Sequence, residues 1–188
     1  VIRFALAAGP AAEPWLEELC RHHISGRMKV APEHTVAHVL QLMGKPPVTV
    51  YEEFLKQFTK ANKKLPQKCH LVNYFICGHP GTTLRDAFDF ARYLISRGMQ
   101  PEQVQDFTPL PMTLSGCMYY TGSHPITGEQ VSVPRSERER MMQRALVQYR
   151  NPANSDLIRE ALRELGAEHL GAKFFRKGIY EKTRGGRR

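Results

Sequence analysis

Four short apolar runs recur along the chain, VIRFALA (1–7), RMKVAP (27–32), HLVNYFIC (70–77) and QVQDFTP (103–109), separated by stretches with helical spacing. Short runs bounded by turn residues read as strands, and their alternation with helices predicts parallel βα units. Within 71–77 only Asn73 is polar, the pattern of a central strand covered on both faces. Trp15, Leu16, Leu19 and Ile24 predict a helix over 12–24, and Tyr51, Phe54, Leu55 and Phe58 predict another over 49–64. Residues 84–97 are the most clearly two-faced. Leu84, Ala87, Phe88, Ala91, Leu94 and Ile95 form the apolar side, Arg85, Asp86, Asp89 and Arg92 the polar one, and Gly98 is placed to end the helix.

The character changes after about residue 122. The segment GSHPITGEQVSVPRS (122–136) is dense in turn residues and predicts a boundary. A helix over 136–150 follows, with Ser136 and Glu139 spaced as a capping box and Met141, Met142, Ala145, Leu146 and Tyr149 as its stripe. Asn151-Pro152 ends it, and a second helix over about 154–165 carries Leu157, Ile158, Ala161, Leu162 and Leu165 before Gly166. The organisation expected is an α/β part over 1–122, a helical extension over 123–172 and a loosely ordered basic tail over 173–188.

Charge alters this picture less than its size suggests. Lys and Arg number 27 against 18 Asp and Glu, a net +9. Residues 173–188 hold seven positive and one negative charge, or +6, which leaves +3 for the other 172 residues. The folded part is therefore nearly ordinary in charge. The basic helix 136–150 and the tail remain a candidate for weak RNA or DNA phosphate binding, the expectation if the chain is a non-catalytic binding module. A chain of 188 residues is too short for a complete eight-fold barrel, which needs roughly 250. No run reaches the roughly 20 apolar residues of a membrane span. Arg3, Glu13 and Glu17 break any signal-peptide pattern. Cys20, Cys69, Cys77 and Cys117 have no repeated short spacing, which points to a reducing cytoplasm. The chain opens at Val1 inside an apolar run and is expected to be a piece of something longer.

Ligands of parallel βα folds gather at the carboxyl ends of the strands. Three loops qualify. Glu33 and His34 follow the 27–32 strand, and such a pair can bind ribose hydroxyls or transfer protons; a helix cap beside a solvated His is the alternative. The segment GHPGTT (78–83) places two glycines where backbone N–H groups can approach a flat or anionic ligand, although a tight turn with a Thr cap also explains it. Asp106 and Thr108 follow the 103–109 strand. Cys69 and Cys77 would stand about 26 Å apart at roughly 3.3 Å per residue, too far for one zinc. His34 and His38 have i, i+4 spacing without the HExxH order. Ser115 lies in LSGCM and not in a GxSxG nucleophile elbow. No metal site is expected.

Taken together, HHISGRMKVAPEHT (22–35), LQLMGKPP (40–47), LVNYFICGHPGTTLRDA (71–87), VQDFTPLPMTLSGCMYYTG (104–122) and MQRALVQYRNPAN (142–154) closely resemble the YgiQ-like family of radical S-adenosylmethionine (radical SAM) proteins. The resemblance implies the C-terminal part of a partial (βα) barrel, with about four parallel strands and a helical extension. It also implies S-adenosylmethionine and a [4Fe–4S] cluster as cofactors of the whole protein. By similarity Ile76, Gly78, His79, Pro80 and Gly81 would line the adenine, Glu33 and His34 would reach the ribose or methionine part, and Asp106 and Thr108 would face cofactor or substrate. The superfamily holds its cluster through CxxxCxxC, and no pair of cysteines here has either spacing. The expected partner is therefore the N-terminal part of the same barrel, with an unidentified substrate and no activity for this chain alone.

Overall fold

The computed structural model describes residues 2–7, 9–101 and 103–175. The fold is α/β. Strands β1 (Arg27–Glu33), β2 (His70–Cys77) and β3 (Gln103–Asp106) form a three-stranded parallel sheet in the order β1-β2-β3. The expected strand over 1–7 is instead helix α1 (Ile2–Ala7), so the sheet has three strands among the described residues where four were expected. Ala5, Leu6 and Ala7 are strong helix formers, and so short an apolar run leaves the choice to propensity and context. The chain divides inside β2 into two compact units, the first ending at Phe75 and the second starting at Ile76.

In the first unit, α1 and α2 (Ala12–Glu18) pack on α4 (Val48–Lys64). The predicted 12–24 helix is α2 continued by a π-helical turn over Leu19–His23. Its buried stripe runs Ala12, Leu16, Cys20, while Trp15 is 38% exposed. Helix α4 buries Tyr51, Phe54, Phe58 and Ala61 at helical spacing. Helix α3 (Ala37–Leu42) lies between β1 and α4 in sequence. β1 alternates, with Met28, Val30 and Pro32 buried, and it pairs with β2 from Arg27 opposite His70 to Glu33 opposite Phe75. Asn73, the polar residue in β2, accepts a 2.8 Å hydrogen bond from the Tyr51 hydroxyl, which satisfies it inside the unit.

The second unit holds α5 (Leu84–Ser96), α6 (Leu114–Thr121), α7 (Glu137–Val147), α8 (Ser155–Glu164) and α9 (Gly171–Phe174). Helix α7 packs against α5, α8 and β3. Phe88, Phe90, Leu94, Leu146, Ile158, Leu162 and Phe174 are fully buried, each adding about 1.5–3 kcal/mol of apolar burial. Phe174 stacks on Phe88 with centroids 6.0 Å apart and meets Tyr149 edge-on at 6.4 Å.

Two local expectations change. Asp86, placed above on the polar side of its helix, is buried at 8% because it closes a capping box with Thr83. Ser136 makes no side-chain cap bond, and Glu139 instead accepts from Gln143 Nε2 at 3.3 Å. Met141, expected in the stripe of α7, is 43% exposed, whereas Met142, Ala145, Leu146 and Tyr149 are buried. The basic tail expected over 173–188 lies, from residue 176 onward, outside the described residues. No helix among the described residues is long and apolar enough to cross a membrane.

Candidate functional site

In the first unit, β1 ends at Glu33, whose backbone takes φ 68°. This left-handed turn is uncommon for a residue with a side chain and is held by a 3.1 Å ion pair from Lys45 Nζ. His34 is 1% exposed and so is not the solvated His of the alternative reading. Its Nδ1 accepts from the Val36 N–H at 3.1 Å, which caps the approach to α3 and, in the neutral ring, places the proton on Nε2. His34 precedes α3 while His38 lies within it, so the two do not share a helix face. His34, Lys29, Lys45 and Tyr51 line a cavity of about 560 Å³ beside the end of β1.

The second unit carries the glycine loop. Gly78 takes φ 71°, a conformation that costs other residues about 1–2 kcal/mol, and it turns the chain out of β2. All of Cys77, Gly78, His79, Pro80, Gly81 and Thr82 are buried. The cover is the first turn of α7 and the segment before it: a Cβ on Gly78 would lie 3.8 Å from Arg140 and 3.9 Å from Pro134. The Gly81 N–H donates to the Ser132 carbonyl at 2.6 Å, and the Thr82 N–H to the His79 carbonyl at 2.9 Å. The loop is thus closed on that side, with two of its N–H groups engaged. Thr82 Oγ1 and Gln143 Oε1 are buried without a partner among the described residues, although Gln143 Nε2 donates to the Thr82 carbonyl at 3.2 Å.

His79 ties the loop to α6. Its Nδ1 lies 2.7 Å from the Pro80 carbonyl oxygen, which can only accept, so the network assigns the proton to Nδ1. Nε2 then accepts from the Ser115 hydroxyl at 2.8 Å. Desolvation keeps the imidazole pKa below its ordinary value, against the opposing pull of the Pro80 carbonyl, and so favours the neutral ring that this pattern requires. The arrangement can hold the Ser115 proton at Nε2, and it braces the loop. Phe107 packs edge-on against His79 at 5.0 Å. The sequence shows Ser115 only as a serine outside a nucleophile elbow; its contact with His79 is not legible there, since the two lie 36 residues apart and Ser115 sits on α6, which the pattern does not predict. Gly116 beside it was the available signal, because a Cβ there would collide with the Leu110 carbonyl.

The remaining predicted residues separate in character. Ile76 is half-buried, just before the loop. The Phe107 N–H donates to the Cys77 carbonyl at 2.8 Å, which sets the end of β3 beside that of β2. Asp106 is half-exposed and paired with Arg144 at 2.5 Å, so its carboxylate is already engaged, while Thr108 is exposed. Burial pushes the Cys77 thiol up to about 12 and, with Cys69 beside it, the Cys20 thiol likewise up to about 12; neither is a thiolate at neutral pH. Among the described residues, no group of three or more His, Cys, Asp or Glu side chains could hold a metal.

The basic helix is also largely engaged within its own unit. Arg138 pairs with Glu160, Arg140 donates to the Pro134 and Arg135 carbonyls, and Arg144 binds Asp106 and the Val104 carbonyl.

A family model described as a domain of unknown function, DUF3362, matches residues 102–173. A UPF0313 protein of Methanosarcina mazei is 52% identical over 154 residues, covering 82% of this chain and 25% of that protein. A UPF0313 protein of Methanosarcina acetivorans is 52% identical over 82% of the chain and 21% of its own length. One from Clostridium botulinum is 47% identical over 169 residues, 90% of the chain and 26% of the relative. The homologues of this chain are thus UPF0313 proteins, the YgiQ-like family, and the chain spans about a quarter of the length of the relatives it matches.

Proposed function

We propose that this chain is a C-terminal piece of a radical SAM enzyme of unknown substrate, supplying cofactor-side strands while the cluster ligands come from the N-terminal part of the same barrel. The observation that carries the reading is the glycine loop leaving β2 beside the end of β3, within strings that resemble the radical SAM family. S-adenosylmethionine, when bound, supplies the sulfonium that such enzymes cleave. In this reading the backbone at Ile76 and Gly78 borders the adenine, since Gly81 and Thr82 have their N–H groups engaged. Thr108 is exposed and available to a ligand, whereas Asp106 must first leave Arg144. His79 and Ser115 position the loop. Glu33 and His34 are the candidates on the first unit, with His34 lining its cavity.

Anaerobic reconstitution with iron and sulfide tests the division of labour. This chain should give no stoichiometric cluster absorbance, and the full-length Methanosarcina mazei relative should give it. A stable cluster on this chain alone, or none on the longer relative, overturns the reading.

A further inference from the structure

Toward the other end of α5 from its Thr83 cap, the second unit has a cavity of about 760 Å³ that the reading above does not use. Asp89, Arg92, Tyr93 and Ser96 enter its wall from one face of α5, at i, i+3, i+4 and i+7. Arg150, just past α7, and Lys173, on α9, complete the charged part of the wall. Three cations thus face one carboxylate, and Asp89 is already shared between Arg92 at 3.4 Å and Arg85 at 3.5 Å.

Arg150 differs from the arginines of α7. Its Nε is buried and has no hydrogen-bond partner among the described residues. The guanidinium stands 5.9 Å over the Tyr149 ring, and the Tyr149 hydroxyl is anchored to the Met99 carbonyl at 2.8 Å. A guanidinium whose Nε–H finds no acceptor within the fold gains from a ligand that brings its own charge to the terminal N–H groups. The planar fork suits two oxygens of one phosphoryl group, and a cavity of this volume is in the range of small-molecule sites.

We propose that this cavity binds the phosphate or diphosphate group of a small phosphorylated molecule, with Arg150 and Arg92 as the principal ligands and Lys173 at the rim. The proposal is independent of the radical SAM reading. A nucleic-acid backbone offers the same chemistry, but a concave wall built from α5, the end of α7 and α9 favours a compact ligand.

Calorimetric titration of the 188-residue chain with sodium pyrophosphate at constant ionic strength tests it. Saturable binding is expected at or below roughly millimolar concentration, weakened about tenfold by Arg150→Gln and by Arg92→Gln. Lys173→Gln, at the rim, should weaken binding by a smaller factor with an unchanged melting temperature, and it keeps the test open if Arg150→Gln fails to fold. Absence of saturable binding, or affinities unchanged in the variants, overturns the proposal. So does sulfate binding as tightly, or a single-stranded RNA oligonucleotide that binds the same residues and is not displaced by pyrophosphate.

Discussion

At the residue scale, His79 is the most informative side chain because its environment fixes both its tautomer and its charge. Its pKa is lowered in the folded chain by desolvation, so the unfolded imidazole takes up a proton first as pH falls. The stability this contributes is fully present above the unfolded value of 6.5 and is lost as pH drops from there through the depressed folded value. Urea denaturation followed from pH 7.5 to pH 5 should show this loss in the parent chain and a flatter profile in His79→Gln. Parallel profiles for the two chains would remove His79 as the cause. The same residue shows where reading the sequence stops. GHPGTT was visible as a strand-to-helix turn, yet nothing in it discloses that the ring is closed off by Ser115, because that contact depends on how α6 packs.

At the scale of elements, the helix starts separate pattern from geometry. Thr83-x-x-Asp86 and Ser136-x-x-Glu139 have the same spacing, but only the first forms reciprocal bonds. Thr83→Ala should cost about 1 kcal/mol, and Ser136→Ala less than about 0.5 kcal/mol, in chemical denaturation. Equal losses would mean that the Ser136 cap forms in solution. The long helices α4, α5, α7 and α8 were legible because burial enforces their periodicity over ten residues or more, and β2 because it is an apolar run broken only by Asn73. The apolar run at 2–7 was not, since six residues without an alternating pattern satisfy either a strand or a helix. Helix α6 escaped because LSGCMYYT shows no clear polar face. Glu33 and His34 were correctly seen as a strand end, but the buried setting of His34 and the Lys45 partner of Glu33 arise from residues brought in by folding.

At the scale of the whole molecule, the second unit depends on its last described residues. Phe174 is fully buried between Phe88 and Tyr149, so the segment just past the end of the DUF3362 match is part of the core. Phe174→Ala is expected to lower stability by about 3–5 kcal/mol in a denaturant titration followed by circular dichroism. A loss below about 1 kcal/mol would show that α9 does not dock in solution. In the first unit, Trp15 is the one tryptophan of the chain and rides on α2, which packs against α4. Its indole stands beside the buried stripe of that helix, 38% exposed, so its fluorescence follows the burial of α2. The parallel register that sets Arg27 opposite His70 needs the whole intervening segment gathered in, a non-local step that is slow compared with helix formation. The optical signal of refolding would then be complete while the strands that carry Glu33 and His34 are still finding their partners.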